Sequence, residues 1–204
     1  MVYTVSGGFL WVSMMVLPIL LAAPFMNLLF VNSAASDTLL GLSPAPVDKL
    51  PYLCCLMMVL LSFLSNVPVI MYIAAFSNAG YDNSHPRKSQ AMFLNEKHHP
   101  IAFRLKSAHL NTSENIPVLA TCVFIATALK LESVLLAKLS LFYMLCRIAY
   151  VFAYLLNLDV IRTLLFIVSF TTCVLMASIA IFPESNLLAL LEGLLTQLPV
   201  KLEL

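Results

Sequence analysis

Charge is what this chain of 204 residues has least of: Asp, Glu, Lys and Arg together make up 10% of it, against 61% apolar residues. A soluble domain of this length covers its surface with roughly a quarter charged residues. The composition, with a mean hydropathy of +0.96, therefore excludes a water-soluble fold. A net charge of +1 and the lack of any basic tract interleaved with aromatics remove a nucleic-acid partner. Glycine is scarce as well, at five residues, and no GxSxG occurs, which removes the nucleophile elbow of a hydrolase. No CxxC spacing links Cys54, Cys55, Cys122, Cys146 and Cys173; all lie in apolar runs and read as small packing residues. His85, His98, His99 and His109 carry neither HExxH nor HxxEH spacing, and read as hydrated loop histidines rather than metal ligands.

What is present is apolar length. A bilayer core needs about 20 apolar residues per helix, and five segments qualify: roughly 9–31, 51–76, 114–136, 138–156 and 161–182. The third is marginal, because Lys130 and Glu132 must sit at an interface. The last four are joined closely enough to form an antiparallel bundle. The first, with Pro18 and Pro24, reads as an extra helix, separated from the rest by a Ser-, Ala- and Pro-rich loop over 32–50. Beyond 183, SNLLALLEGLLTQLPVKLEL spaces leucine at helical intervals, with Glu192 and Gln197 opposite, and reads as an amphipathic tail on the membrane surface. The domains expected are thus 1–49, 50–183 and 184–204. Seven of the eleven basic residues fall in 77–110 and 147–162, which assigns that end of the bundle to the cytoplasm.

Polar residues converge on the same end. In RLKSAHLNTSENIP (104–117), Arg104, Asn111 and Glu114 share one helix face. In RIAYVFAYLLNLDVIR (147–162), Arg147, Tyr150 and Tyr154 share another, and Arg162 opens the last span after the NLDV turn. Arg147 is the deepest charge. An intramembrane charge costs a few kcal/mol and must face protein or a wet cavity, and Glu114 is its expected partner. One reading is a structural ion pair with two interfacial tyrosines. The other is a site whose guanidinium forks and hydroxyls hold a small anion.

The blocks YDNSHPRKSQ (81–90), AHLNTSENIP (108–117) and RIAYVFAYLLNLDVIR (147–162) resemble the MAPEG family, the membrane-associated proteins of eicosanoid and glutathione metabolism. The likeness runs over roughly 50–182 and is carried by Asn111-x-x-Glu114 and by Arg147, Tyr154 and Arg162; the YDN…PR loop is closer to bacterial members. The resemblance implies an all-α four-helix transmembrane bundle, here with an extra N-terminal helix and the amphipathic tail, assembled as a homotrimer in a bacterial plasma membrane. It implies glutathione held between subunits by residues matching Arg104, Asn111, Glu114, Arg147, Tyr150 and Tyr154. Arg162, with the helix N-terminus and Thr163, would favour the thiolate, and a lipophilic substrate would arrive through the lipid. Human-type members carry basic residues at the positions of Ser107 and Leu110, where this chain has none, with Lys106 the nearest substitute. The expected activity is a glutathione-dependent transferase or peroxidase; the alternative is a non-catalytic lipid-binding or scaffolding member.

Overall fold

A computed structural model describes residues 22–77, 82–94 and 97–183, and every element among them is helical. In chain order these are α1 (Ala22–Val31), α2 (Ala34–Leu42), α3 (Leu50–Phe76), α4 (Pro86–Phe93), α5 (Pro100–Ala128), α6 (Ser133–Leu155) and α7 (Asp159–Ile181). Proline sets three of the starts. Pro51 stands second in α3, and Pro86 and Pro100 first in α4 and α5, where the missing N–H is no loss and the fixed φ suits the first turn. Among the described residues three helices, α3, α6 and α7, are long and apolar enough to cross a membrane. At 27 residues α3 is about 40 Å long. The 29-residue α5 is longer still, but polar side chains crowd its first half.

Two turns close the bundle by the same device. Lys130 and Asn157 both take the left-handed conformation, at φ 58°. After α5, Leu131 N–H donates to Ala126 O (2.9 Å) and Lys130 N–H to Thr127 O (3.0 Å). After α6, Leu158 N–H donates to Ala153 O (2.9 Å) and Asn157 N–H to Tyr154 O (3.2 Å). Each pair of bonds satisfies carbonyls that the helix end would otherwise leave bare, and reverses the chain within a few residues. Helices α3, α5, α6 and α7 consequently pack against one another. Their core contains Met58, Leu119, Val123, Leu139, Tyr143 and Met176, with Cys54 and Cys173 buried among them. Pro68 and Pro117 lie inside α3 and α5 without ending either helix.

Several expectations shift. The stretch 32–50, expected as a loop, contains α2, whose first turn is capped when the Ser33 hydroxyl accepts from Ser36 N–H (3.2 Å). The segment expected over 114–136 instead ends as a helix at Ala128, because the left-handed turn at Lys130 intervenes, and α6 starts at Ser133 rather than near 138. The loop read over 77–110 contains α4 and the first turns of α5. The amphipathic tail from 184 onward, and residues 9–21 of the first apolar segment, lie outside the described residues.

The described part of the N-terminal segment packs onto α6 and α7. Phe30 stacks on Phe142, with ring centroids 4.7 Å apart, and Ala23 packs with Cys146 and Val168. Lys138 fastens it. This buried lysine donates to Val31 O (2.7 Å) and pairs with Asp37 at 2.7 Å.

Candidate functional site

The end of the bundle that holds the start of α5, the end of α6 and the start of α7 carries a ladder of alternating cations and rings. Its inner rung is Arg147 on α6, which is fully buried. One guanidinium nitrogen, Nη2, donates to both the backbone oxygen and the side-chain Oδ1 of Asn111, each at 3.1 Å. Asn115 reinforces this from one turn further along α5, donating to the same backbone oxygen at 2.8 Å. The Arg147 guanidinium lies 4.7 Å from the centre of the Tyr150 ring. Tyr150 meets Tyr154 edge-to-face at 5.1 Å. Arg162, arriving from α7, lies 4.6 Å over the Tyr154 ring and pairs with Asp159 at 3.2 Å. Rings beside guanidinium groups replace part of the hydration each cation gives up on leaving water.

This geometry brings together Asn111, Arg147, Tyr150, Tyr154 and Arg162. Two residues singled out with them stand apart. Glu114 is exposed and makes no ion pair among the described residues. The expected Arg147–Glu114 pair is therefore replaced by Arg147–Asn111. The physical reason is helix phase: three residues beyond Asn111, Glu114 is turned about 60° away from the side facing α6. Arg104 is partly buried, and its Nε is enclosed without a hydrogen-bond partner among the described residues. Thr163, expected as an extra donor, is exposed and donates to Asp159 O at 3.0 Å.

Arg147 is not fully satisfied either. Its Nε and Nη1 are buried without hydrogen-bond partners among the described residues. A buried polar atom left unpaired costs about 1–3 kcal/mol, and more on a charged group. Two unpaired edges on one enclosed guanidinium suit an anionic partner, and the unpaired Nε of Arg104 suits the same chemistry. The residues present thus fit a small molecule with carboxylates. Among the described residues there is no group of His, Cys, Asp or Glu able to hold a metal ion.

A second polar network lies between α3 and α5. His109 Nδ1 donates to Ser62 O (2.8 Å) and lies 3.2 Å from Ser62 Oγ, which is itself 2.6 Å from Ser113 Oγ. Ser113 in turn donates to His109 O at 2.9 Å. Lys106 reaches across to Asn66 Oδ1 at 3.4 Å. His99, next to the start of α5, bonds Tyr72 (3.0 Å) and stacks on Phe93 at 4.4 Å. His99 and His109 are thus not hydrated loop histidines; they tie α5 to its neighbours. Lys106 is turned toward α3, so it does not stand in for the missing bases at Ser107 and Leu110.

The MAPEG family matches residues 50–182, well over half of the chain and the whole of α3 through α7. The chain belongs to the MAPEG family. No curated protein matches it significantly. As a MAPEG member with three apolar helices of spanning length it is an integral membrane protein, related to glutathione or eicosanoid metabolism. The matched region begins at α3, so α1 and α2 precede the MAPEG part of the chain.

Proposed function

We propose that this MAPEG protein is a glutathione-dependent transferase or peroxidase that acts on lipophilic electrophiles, working as a homotrimer in the bilayer. The observation that carries the reading is the buried Arg147, with two unpaired nitrogens, at the inner end of a ladder leading to Arg162. The unpaired nitrogens of Arg147 and the unpaired Nε of Arg104 would bind glutathione carboxylates as charge-assisted hydrogen bonds. Asn111 orients Arg147, and Tyr150 and Tyr154 offer hydroxyls along the path outward. Glutathione, once bound, supplies a sulfur nucleophile. Arg162 is the residue we assign to holding that sulfur as its thiolate, since a thiol reacts at neutral pH only where a cation favours the anion. Its pairing with the exposed Asp159 contributes little and is readily exchanged for a thiolate.

One observation favours a second reading, a non-catalytic member holding an anionic amphiphile. Ser107 and Leu110 are not basic, Lys106 is committed to Asn66, and the cationic complement of the site is correspondingly smaller. Purified full-length protein, glutathione and 1-chloro-2,4-dinitrobenzene separate the two. The enzyme reading expects conjugation above the uncatalysed rate and a glutathione-dependent rise in Tm. It also expects Arg162→Ala to lose at least about tenfold in turnover while keeping the thermal shift. Absence of both signals, or full activity in Arg162→Ala, overturns the assignment.

A further inference from the structure

At the opposite end of the bundle the start of α3, the end of α5 and the start of α6 border a half-open pocket of about 480 Å³. Four charges line it, two of each sign: Asp48, Lys49, Lys130 and Glu132. Among the described residues none of the four is ion-paired. Ser133 lines it too, and the first turn of α6, which begins there, receives no side-chain cap. Its free N–H groups and positive dipole end add to the two lysines.

A second cavity of about 430 Å³ continues from the first, since Tyr52 and Thr127 border both. It runs between α3 and α5 over Ala120, Val123 and Phe124 and is almost wholly apolar. A charged pocket at a helix-end level, opening into an apolar groove along the spans, has the profile of one amphiphile: headgroup above, acyl chain below.

The backbone supplies an independent sign. Lys130 occupies the left-handed position of a helix-ending turn, where glycine is favoured and a side chain with a Cβ is strained. The equivalent place after α6 holds Asn157, a residue type that tolerates this conformation. Keeping a lysine there places a cation at the cavity despite the backbone cost.

We propose that this end of the chain binds one membrane phospholipid with a zwitterionic phosphoethanolamine headgroup. The phosphate sits with Lys49, Lys130 and the uncapped α6 turn, the ammonium with Asp48 and Glu132, and one acyl chain in the α3/α5 groove. This site is separate from the Arg147–Arg162 ladder and does not depend on its function. Both signs of charge are used, which distinguishes the zwitterion from a purely anionic lipid.

The test is native mass spectrometry of the delipidated full chain titrated with phosphatidylethanolamine, phosphatidylglycerol or tail-free glycerophosphoethanolamine. Phosphatidylethanolamine should bind one per chain and tighter than either of the others. The double variant Lys49→Gln/Lys130→Gly should weaken it about tenfold or more. Glycine suits the turn, so Tm should hold, and the loss cannot then be ascribed to misfolding. Asp48→Asn/Glu132→Gln should erase the preference over phosphatidylglycerol. Unchanged affinity in the lysine variant, or equal binding of phosphatidylglycerol by the wild type, overturns the proposal. So does a photo-crosslinker at Phe124 that captures a second copy of the chain instead of lipid.

Discussion

At the scale of single residues, Arg147 and Asn111 sort structure from function. Arg147 is fully buried, and among the described residues its hydrogen bonds go to Asn111, one to the backbone and one to the side chain. Asn111→Ala removes the side-chain acceptor and leaves the charge in place. A hydrogen bond to a charged group contributes about 1.5–3 kcal/mol, so this variant should lose about 2 kcal/mol, read as a lower Tm in detergent. Arg147→Met removes the charge itself and fills its volume with an apolar side chain. Replacing a buried ion by a packed hydrophobe is often neutral or stabilising. Its Tm without ligand should therefore stay near the wild type, while the glutathione-dependent rise disappears. If Arg147→Met instead unfolds the protein and Asn111→Ala is silent, the guanidinium is a structural strut rather than part of a binding site.

At the scale of elements, α2 and its attachment are the least expected part of the fold. Lys138 sits in an apolar helix, and its partners, Val31 O and Asp37, come from about 100 residues earlier in the chain. No local pattern connects them. The helix α2 is short, and its composition of small and polar residues suits a loop equally well; what decides for helix is the Ser33 cap together with the anchor that Asp37 provides on α6. Asp37 is 68% exposed on its side chain whereas Lys138 is 11% exposed, so the ion pair lies at the edge of the protein and is partly screened. Asp37→Ala should cost no more than about 1 kcal/mol in overall stability. Its larger effect should be local. The link between α2 and α3 should become several-fold more sensitive to limited proteolysis while the α3–α7 bundle unfolds at nearly the same temperature. Protection of that link equal to wild type would show that α1 holds the segment without Lys138.

At the scale of the whole molecule, what was legible follows from range. The apolar runs place α3 and α7 to within two residues and the end of α6 to within one, because membrane helices declare themselves by composition alone, whereas Lys138 sets the expected start of α6 five residues late. Helix α5 was legible only in its second half, because Arg104, Lys106, His109, Asn111, Glu114 and Asn115 interrupt the hydropathy of the first. The ladder residues were found from their spacing on α6 and α7, yet the partner of Arg147 was misread, since a one-turn choice between Asn111 and Glu114 depends on how α5 is rotated against α6. The same rotation hides the His109–Ser62–Ser113 network, which exists only in the register of α3 on α5. That rotation also leaves Glu114 facing outward on α5, beside the exposed Leu110, and Ile101, Phe103 and Phe124 are exposed elsewhere along the helix. A carboxylate turned to hydrocarbon costs a few kcal/mol, which favours a covered, wet surrounding for this face of α5. In the trimer proposed above, a neighbouring copy covers α5 around Glu114 and encloses a wet crevice there, leaving the α3/α5 groove at Phe124 to lipid. Native mass spectrometry from mild detergent should then show three copies. Glu114→Leu should keep that assembly, because it makes the face more apolar, while the glutathione-dependent thermal shift is lost. A wild-type chain that runs as a monomer and still shows the full glutathione response would place the ligand within one bundle and leave Glu114 without a role in binding it.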